Sequence, residues 1–173
     1  MRASWISCLL ASLLASTRLA AQDTNHVALV IGLHGPGVLV PISSTTALRL
    51  DGTFSESSTG SSQVWNESVG ISALFYLRSS DALRSFVGPR VSFSNSSSGS
   101  AHAHTWSGQL FFGAEYALGR RFGVFGETGL SYGRTSGTRL GPAGEAVPFV
   151  SSTSWSTVSG VGLLYVSDWP VSQ

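Results

Sequence analysis

Four pairs of aromatic residues, each pair separated by ten positions, limit the folds open to this 173-residue chain more than any other feature. Ten is an even number, so in a β-strand both members of a pair point to the same face of the sheet. Ten residues of about 3.3 Å each, on a strand tilted by about 45°, rise roughly 23 Å. That rise is close to the height of the apolar band of a membrane β-barrel, which carries an aromatic girdle at each edge. The pairs are Trp65 and Phe75, Trp106 and Tyr116, Phe122 and Tyr132, and Trp155 and Tyr165.

Apolar and polar residues alternate with a period of two from residue 45 onward. This alternation predicts strands that turn one mostly apolar face and one mostly small or polar face to their surroundings. No stretch of 18 apolar residues occurs in the body of the chain, which excludes a membrane-spanning helix. The clearest strands are residues 65–77, 106–118, 122–134 and 154–166.

The connections between these strands alternate in length. Such alternation is typical of outer-membrane barrels, which have short periplasmic turns and long external loops. A first hairpin from residues 26–33 and 37–42 completes the set. The sequence therefore predicts an all-β chain folded as a closed antiparallel up-and-down transmembrane β-barrel of eight strands. The short connections are 43–46, 78–83 and 119–120, and the long ones are 57–62, 95–103 and 135–153.

The first 21 residues have the composition of a secretory signal peptide. Arg2 supplies a positive charge, residues 5–15 are mostly apolar, and small residues lead up to Ala21. We expect residues 1–21 to be cleaved on export and residues 22–173 to form one outer-membrane barrel domain. The single cysteine, Cys8, leaves with the signal peptide, so the exported chain has no disulfide and no thiol chemistry.

Charge and motif content exclude several classes of function. Charged residues make up 11% of the chain, and after residue 21 eight arginines face nine acidic residues, a balance that gives no sign of nucleic-acid binding. His102 and His104 lie two residues apart without a nearby cysteine or acid, which favours a solvated loop over a metal site. We therefore expect no catalytic residue, no cofactor and no metal.

The alternating strands, the aromatic pairs and the last strand together resemble the small eight-stranded outer-membrane β-barrels of the OmpA/OmpX-like type. The resemblance covers residues 26–166. In that class the last strand carries an assembly signal: a polar residue, a glycine two positions later, and hydrophobic or aromatic residues three and five beyond it. Gly160, Leu163 and Tyr165 match, whereas Val158 occupies the polar position. The resemblance implies a place in the bacterial outer membrane, contact with its lipids and lipopolysaccharide, and insertion by the barrel-assembly machinery.

Five charged residues fall on the strand faces opposite the aromatic belts. Side chains fill the interior of an eight-stranded barrel, so these charges must pair or be hydrated. We interpret them as a structural charge network that plugs the lumen, as in the small barrels that the chain resembles. A gated ion path through rearranging pairs is the alternative. The five residues are Arg49, Asp51, Arg90, Glu115 and Glu127.

Two residues conflict with the strand pattern. Glu67 falls on the lipid face close to Trp65, where a carboxylate is unfavourable unless it reaches the headgroup layer or binds a cation. We expect a bulge to shift the register there. Pro89 has no N–H to donate within its strand, so Gly88–Pro89 is expected to form a bulge or a bend.

The leading functional hypothesis is a non-enzymatic outer-membrane barrel that is structural or binds an unnamed ligand through its external loops. Arg139, Glu145 and Phe149 are the most distinctive loop residues. One alternative is a small gated pore, and another is a soluble lipocalin-like carrier, which would place apolar residues inside and polar residues outside.

A lipid A-modifying barrel enzyme is the third alternative. Such an enzyme would recruit His104, Ser107 and either Glu67 or Glu145 near the outer rim. Ser107 is predicted to face inward, which counts against this hypothesis.

Overall fold

The chain folds into one sheet that closes on itself. The computed structural model describes residues 27–59, 62–79, 82–99, 101–119, 121–141 and 146–166. Strands adjacent in sequence pair antiparallel, and β1 pairs with β8 to close the barrel. The predicted closed up-and-down barrel of eight strands is confirmed. The strands are β1 (Ala28–Gly32), β2 (Gly35–Ser43), β3 (Thr46–Thr59), β4 (Ser62–Ser79), β5 (Leu83–Ser98), β6 (Ala101–Ala117), β7 (Phe122–Leu140) and β8 (Ala146–Val166).

Parts of the predicted organisation fall on residues that the structure does not describe. The proposed signal peptide, residues 1–21, and the tail after Val166 lie outside the described residues. Within the described ranges, no helix is long and apolar enough to cross a membrane.

One end of the barrel agrees with the prediction and the other does not. We call the end with the β2–β3, β4–β5 and β6–β7 connections the turn end, and these connections are short as predicted. At the opposite end, the loop end, the strands continue through most of the segments predicted as long loops, and this prediction is wrong. Ser and Thr hydroxyls pair across these strands, with 2.7 Å between Thr53 and Ser68 and 2.8 Å between Thr105 and Thr135. Thr also favours strands, so hairpins form where the composition suggests loops.

The pairing register fixes the tilt of the strands. Following paired residues from Ala28 on β1 through every strand leads to Ser156 on β8, whereas Ala28 itself pairs with Val166, ten residues further along. An offset of this kind tilts the strands by roughly 40° and leaves an interior just wide enough for side chains.

Neither predicted bulge forms. Glu67 pairs with Phe54 on one side and Asn95 on the other without a shift, so its side chain stays on the outer face. At Pro89 the pairing with β4 skips two positions and resumes in the same register. Proline removes a hydrogen-bond donor without adding a residue, which explains the skip without a bulge. The β4–β5 register shifts instead between Tyr76 and Arg78, near the turn end.

An apolar core fills the turn-end half of the lumen. The rings of Phe86 and Phe111 pack edge to face with their centroids 6.0 Å apart. Space for these rings comes from small residues: a Cβ on Gly113 would clash with Cζ of Phe86. The buried hydrophobic residues are Ala28, Val30, Leu39, Ala47, Leu74, Phe86, Phe111, Phe125, Leu164 and Val166.

In the part of the chain that the structure describes, the barrel wall is incomplete in its loop-end half. The β1–β2 hairpin turns at residues 33–34, where the following Gly35 has a φ of +89° that favours glycine. Among the described residues, β3 beyond Asp51 pairs only with β4, and β8 before Leu163 pairs only with β7. Residues 53–58 and 151–157 are exposed on both faces. We call this opening between β3 and β8 the lateral gap. Because β1 and β2 do not extend into it, the gap spans three inter-strand spacings and is about 14 Å wide.

Candidate functional site

Two arginines bridge two carboxylates inside the barrel, on the loop-end side of the apolar core. Arg49 donates to both oxygens of Glu127, from Nη1 to Oε2 at 2.8 Å and from Nη2 to Oε1 at 3.1 Å. Arg90 donates from both terminal nitrogens to the two oxygens of Asp51, and Nε of Arg49 lies 3.6 Å from Oδ2 of that residue. None of the four residues is more than 6% exposed. Each bidentate pair therefore replaces the water that its charges would otherwise need.

Side chains close off the lumen at this level. Nε2 of His34, at the tip of the β1–β2 hairpin, lies 3.4 Å from Oε1 of Glu127. The guanidinium carbon of Arg49 is 5.4 Å from the ring centroid of Phe111 and 5.7 Å from that of Phe125, within cation–π range. The cavity beside these groups measures about 10 Å³, room for at most one water molecule.

Glu115 belongs to a separate cluster nearer the turn end. It accepts hydrogen bonds from the Tyr76 hydroxyl at 3.0 Å and from Nη2 of Arg84 at 2.7 Å. The Arg84 guanidinium also lies over the Tyr76 ring, 4.6 Å from its centroid. The sequence pattern did not single out Tyr76 or Arg84, although Arg84 is six residues from Arg90 and shares its inward parity on β5. The five predicted interior charges thus form two clusters.

The eight aromatic residues spaced ten apart all lie on the outer face. Their exposed fractions run from 38% for Tyr165 to 77% for Trp155. Those on β7 and β8 meet across the strands, with ring centroids 4.9 Å apart for Tyr132 and Trp155 and 5.2 Å apart for Phe122 and Tyr165. They form one ring of aromatic side chains towards the loop end and one at the turn end. The eight are Trp65, Phe75, Trp106, Tyr116, Phe122, Tyr132, Trp155 and Tyr165.

Two further aromatic residues extend the loop-end ring. Phe54 packs on Trp65 with centroids 5.6 Å apart, and Phe93 packs on Trp106 at 4.8 Å. The ten-residue spacing could not find them, because each lacks an aromatic partner ten positions away on its own strand. Both residues occupy outward-facing positions of the strand alternation, and this is the sequence signal that could have found them.

A cavity of about 220 Å³ lies near the loop end. We call it the vestibule. Ser107 faces the interior near it, with its hydroxyl 2.6 Å from that of Ser92. Thr53, on the edge of the lateral gap, is part of its wall. The lining residues are mostly hydroxyl- and amide-bearing: Thr53, Asn66, Glu67, Ser68, Ser94, Asn95, Ser96, Ala103 and Thr105.

A row of polar residues crosses the outer face at the loop end. The row runs from strand to strand through paired positions: Glu67 on β4 pairs with Asn95 on β5, which pairs with His104 on β6, which pairs with Ser136 on β7. His104 stacks on the ring of Phe93, at 6.0 Å and 16°. The sequence pattern did not single out Ser136, because the predicted β7 strand ended at residue 134.

The residues of the enzyme hypothesis are not brought together. His104 faces outward and Ser107 inward, on opposite faces of β6. Glu145 and the side chain of Arg139 lie outside the described part, and Phe149 is half-buried on β8. In the ranges that the structure describes, no group of three or more His, Cys, Asp or Glu residues could hold a metal ion.

Comparisons with known proteins give similarities of shape at low sequence identity. No protein-family model and no curated protein sequence matches the chain. The solved structures that it resembles include CarO from Acinetobacter baumannii, at 14% identity and a TM-score of 0.44 over 82% of this chain and 96% of that one. CarO2 from the same organism is 11% identical with a TM-score of 0.41, over 82% of this chain and 97% of that one. A major outer membrane protein from Thermus thermophilus is 14% identical with a TM-score of 0.45, over 83% of this chain and 100% of that one.

Proposed function

We propose that the chain is an integral outer-membrane β-barrel whose role is structural or surface-binding and not catalytic. The observation that carries this proposal is the distribution of polarity: ion pairs lie inside, and the outer face is apolar between two aromatic rings. A soluble barrel has the reverse distribution, because large exposed apolar surfaces are unfavourable in water. The exposed apolar residues between the rings include Ile31, Val69, Ile71, Val91, Leu110, Phe112, Leu130, Val161 and Leu163.

The height of this apolar belt fits a bilayer. Ten residues per aromatic pair on strands tilted by roughly 40° rise roughly 25 Å, which is the height of the apolar band in outer-membrane barrels. Lipids and lipopolysaccharide would cover the belt. Removal of residues 1–21 on export and insertion of residues 22–173 by the barrel-assembly machinery belong to the same proposal.

The interior supports a plug more than a gated pore. Bidentate pairs from Arg49 and Arg90 reach across the lumen, and buried rings fill the space on their turn-end side. Opening a path would separate buried charges, which is costly. Binding would then fall to the loop end, where the vestibule and the polar row lie.

A charge on the outer face tests the membrane placement. Leu110 is 63% exposed and lies between the aromatic rings on β6. In lipid vesicles, Leu110→Arg should lower the free energy of unfolding by about 2–4 kcal/mol, because an arginine at mid-depth must be desolvated. Urea titration followed by gel migration of folded and unfolded barrel measures this change.

The matched control is His102→Arg, on the same strand and the same outer face but beyond the loop-end aromatic ring. Near the interface the cost falls to about 0–1 kcal/mol. Equal, small effects of both substitutions would contradict the proposal, because an arginine on a water-exposed face costs little wherever it is placed.

A further inference from the structure

Glu67 is a feature of the outer face that the membrane proposal leaves unexplained. The Glu67 side chain belongs to the loop-end polar row and is half-buried, close to the loop-end ring of aromatic side chains. On the outer face its neighbours are Trp65, two residues away on β4, and Phe54, paired with it on β3, and the rings of these two pack together. A carboxylate at the edge of an apolar band is unfavourable without a counter-charge. Among the described residues, its one hydrogen-bond partner is an amide.

Asn95 supplies that amide and has an unused oxygen. Its Nδ2 donates to Oε1 of Glu67 at 3.0 Å. Oδ1 of the same amide is buried, with no hydrogen-bond partner among the described residues. Because the two atoms belong to one amide group, the acceptor without a partner is on the same group that contacts the Glu67 carboxylate. Such a pair of oxygens favours a cation.

We propose that Glu67 and Asn95 bind a divalent cation, Ca²⁺ or Mg²⁺, whose other ligands are water and phosphate groups of membrane lipid. A half-turn of the Asn95 amide places Oδ1 about where Nδ2 is now, 3.0 Å from Oε1. Two oxygens at that separation fit neighbouring positions around an ion bound at about 2.3–2.6 Å. The lipid phosphate part rests on the proposed membrane location; the two protein ligands do not.

The other members of the row favour a hard cation. His104 is next in the row, but its ring is stacked on Phe93 and not directed at Glu67. The ligands offered are therefore oxygen atoms, which suit Ca²⁺ and Mg²⁺ better than zinc or copper. Two protein oxygens leave most of the coordination sphere open. Phosphates at the same depth can fill it and join the barrel to the surrounding lipid.

Terbium luminescence tests this site directly. Tb³⁺ replaces Ca²⁺ on oxygen ligands, and Trp65 lies close enough to sensitise its emission. The full exported chain in neutral detergent should give saturable emission that excess Ca²⁺ removes. Glu67→Gln and Asn95→Ala should each weaken Tb³⁺ binding by at least about tenfold, because each removes one of two protein ligands.

Glu56→Gln is the matched control. Glu56 is an exposed outer-face carboxylate that also accepts a hydrogen bond from an amide, that of Gln63, so its loss should leave the signal unchanged. Heat-modifiable gel migration shows that each variant is folded. An absence of saturable emission, or emission that Glu67→Gln does not weaken, overturns the site.

Lipid composition tests the phosphate ligands separately. In nanodiscs, anionic phospholipid should tighten Tb³⁺ binding relative to zwitterionic lipid more in the wild type than in Glu67→Gln, where only the surface charge acts. An equal gain in both overturns the lipid phosphate part and leaves the protein ligands standing. A chain that binds Tb³⁺ in detergent but stays out of membranes contradicts the proposed function and not the cation site.

Discussion

Gly70 allows Arg90 to reach its partner. Asp51 and Gly70 are paired neighbours on β3 and β4, and Arg90 extends from β5 across β4 to Asp51. A Cβ on Gly70 would occupy the position of the Arg90 guanidinium. The bridge between strands that are not adjacent therefore depends on the absence of a side chain at residue 70.

Gly70→Ala should therefore destabilise the barrel through the ion pair. The methyl group displaces the guanidinium from Asp51 in a packed interior, and overpacking of this kind costs about 1–3 kcal/mol. Urea unfolding in lipid vesicles measures the loss. Gly108→Ala is the control, because a Cβ there meets nothing within 4 Å and should change stability by less than about 0.5 kcal/mol. Equal effects of the two substitutions would show that the space over Gly70 is not needed.

At the scale of strands, Pro89 interrupts one ladder. Pairing between β4 and β5 passes from Ser72 and Arg90 directly to Phe75 and Val87. The two skipped positions lie opposite Gly88 and Pro89, and proline has no N–H for the Ala73 carbonyl that approaches Gly88. The interruption is confined to these two positions, and pairing resumes in the same register on either side.

Pro89→Val should stabilise the barrel. Residue 89 faces outward and is exposed, so valine restores the donor and remains apolar towards lipid. One backbone hydrogen bond is worth about 0.5–1.5 kcal/mol, and the midpoint of urea unfolding should rise accordingly. Val91→Ile, the next outward position on β5, controls for added apolar volume. A lower midpoint for Pro89→Val would show that the strand needs the bend of proline.

Strands could be predicted from the sequence where one face differs from the other. Residues 106–118 have one mostly apolar and one mostly small or polar face and form most of β6. Residues 135–153 are rich in Ser, Thr and Gly and were assigned to a loop, although β7 and β8 pair through much of them. The inward parity of Arg49 and Glu127 was visible, but their pairing across the lumen depends on the register of five strands. Such contacts are set by the whole barrel and leave no local pattern.

At the scale of the whole molecule, the lateral gap leaves two strand edges without a partner among the described residues, at a depth where the rest of the wall faces lipid. The β1–β2 hairpin ends near Gly52 on β3 and Gly160 on β8. Trp155 lies about five residues nearer the loop end than Gly160 on β8, so the gap begins on the turn-end side of the loop-end aromatic ring. Unpaired backbone groups do not remain exposed to hydrocarbon. The vestibule behind the gap offers a solution for the β3 edge, because its hydroxyl-rich wall includes Thr53 and can hold water there.

Cysteine labelling tests whether water fills this space. The only cysteine, Cys8, lies in the proposed signal peptide, so a single introduced thiol reports alone. Thr53→Cys lies on the β3 edge of the gap and should react with a water-soluble maleimide at least about tenfold faster than Leu130→Cys on the lipid face of β7, because thiolate formation needs water. Equal slow rates at both positions would mean that the gap is dry, and the unpaired edges would then require a further strand.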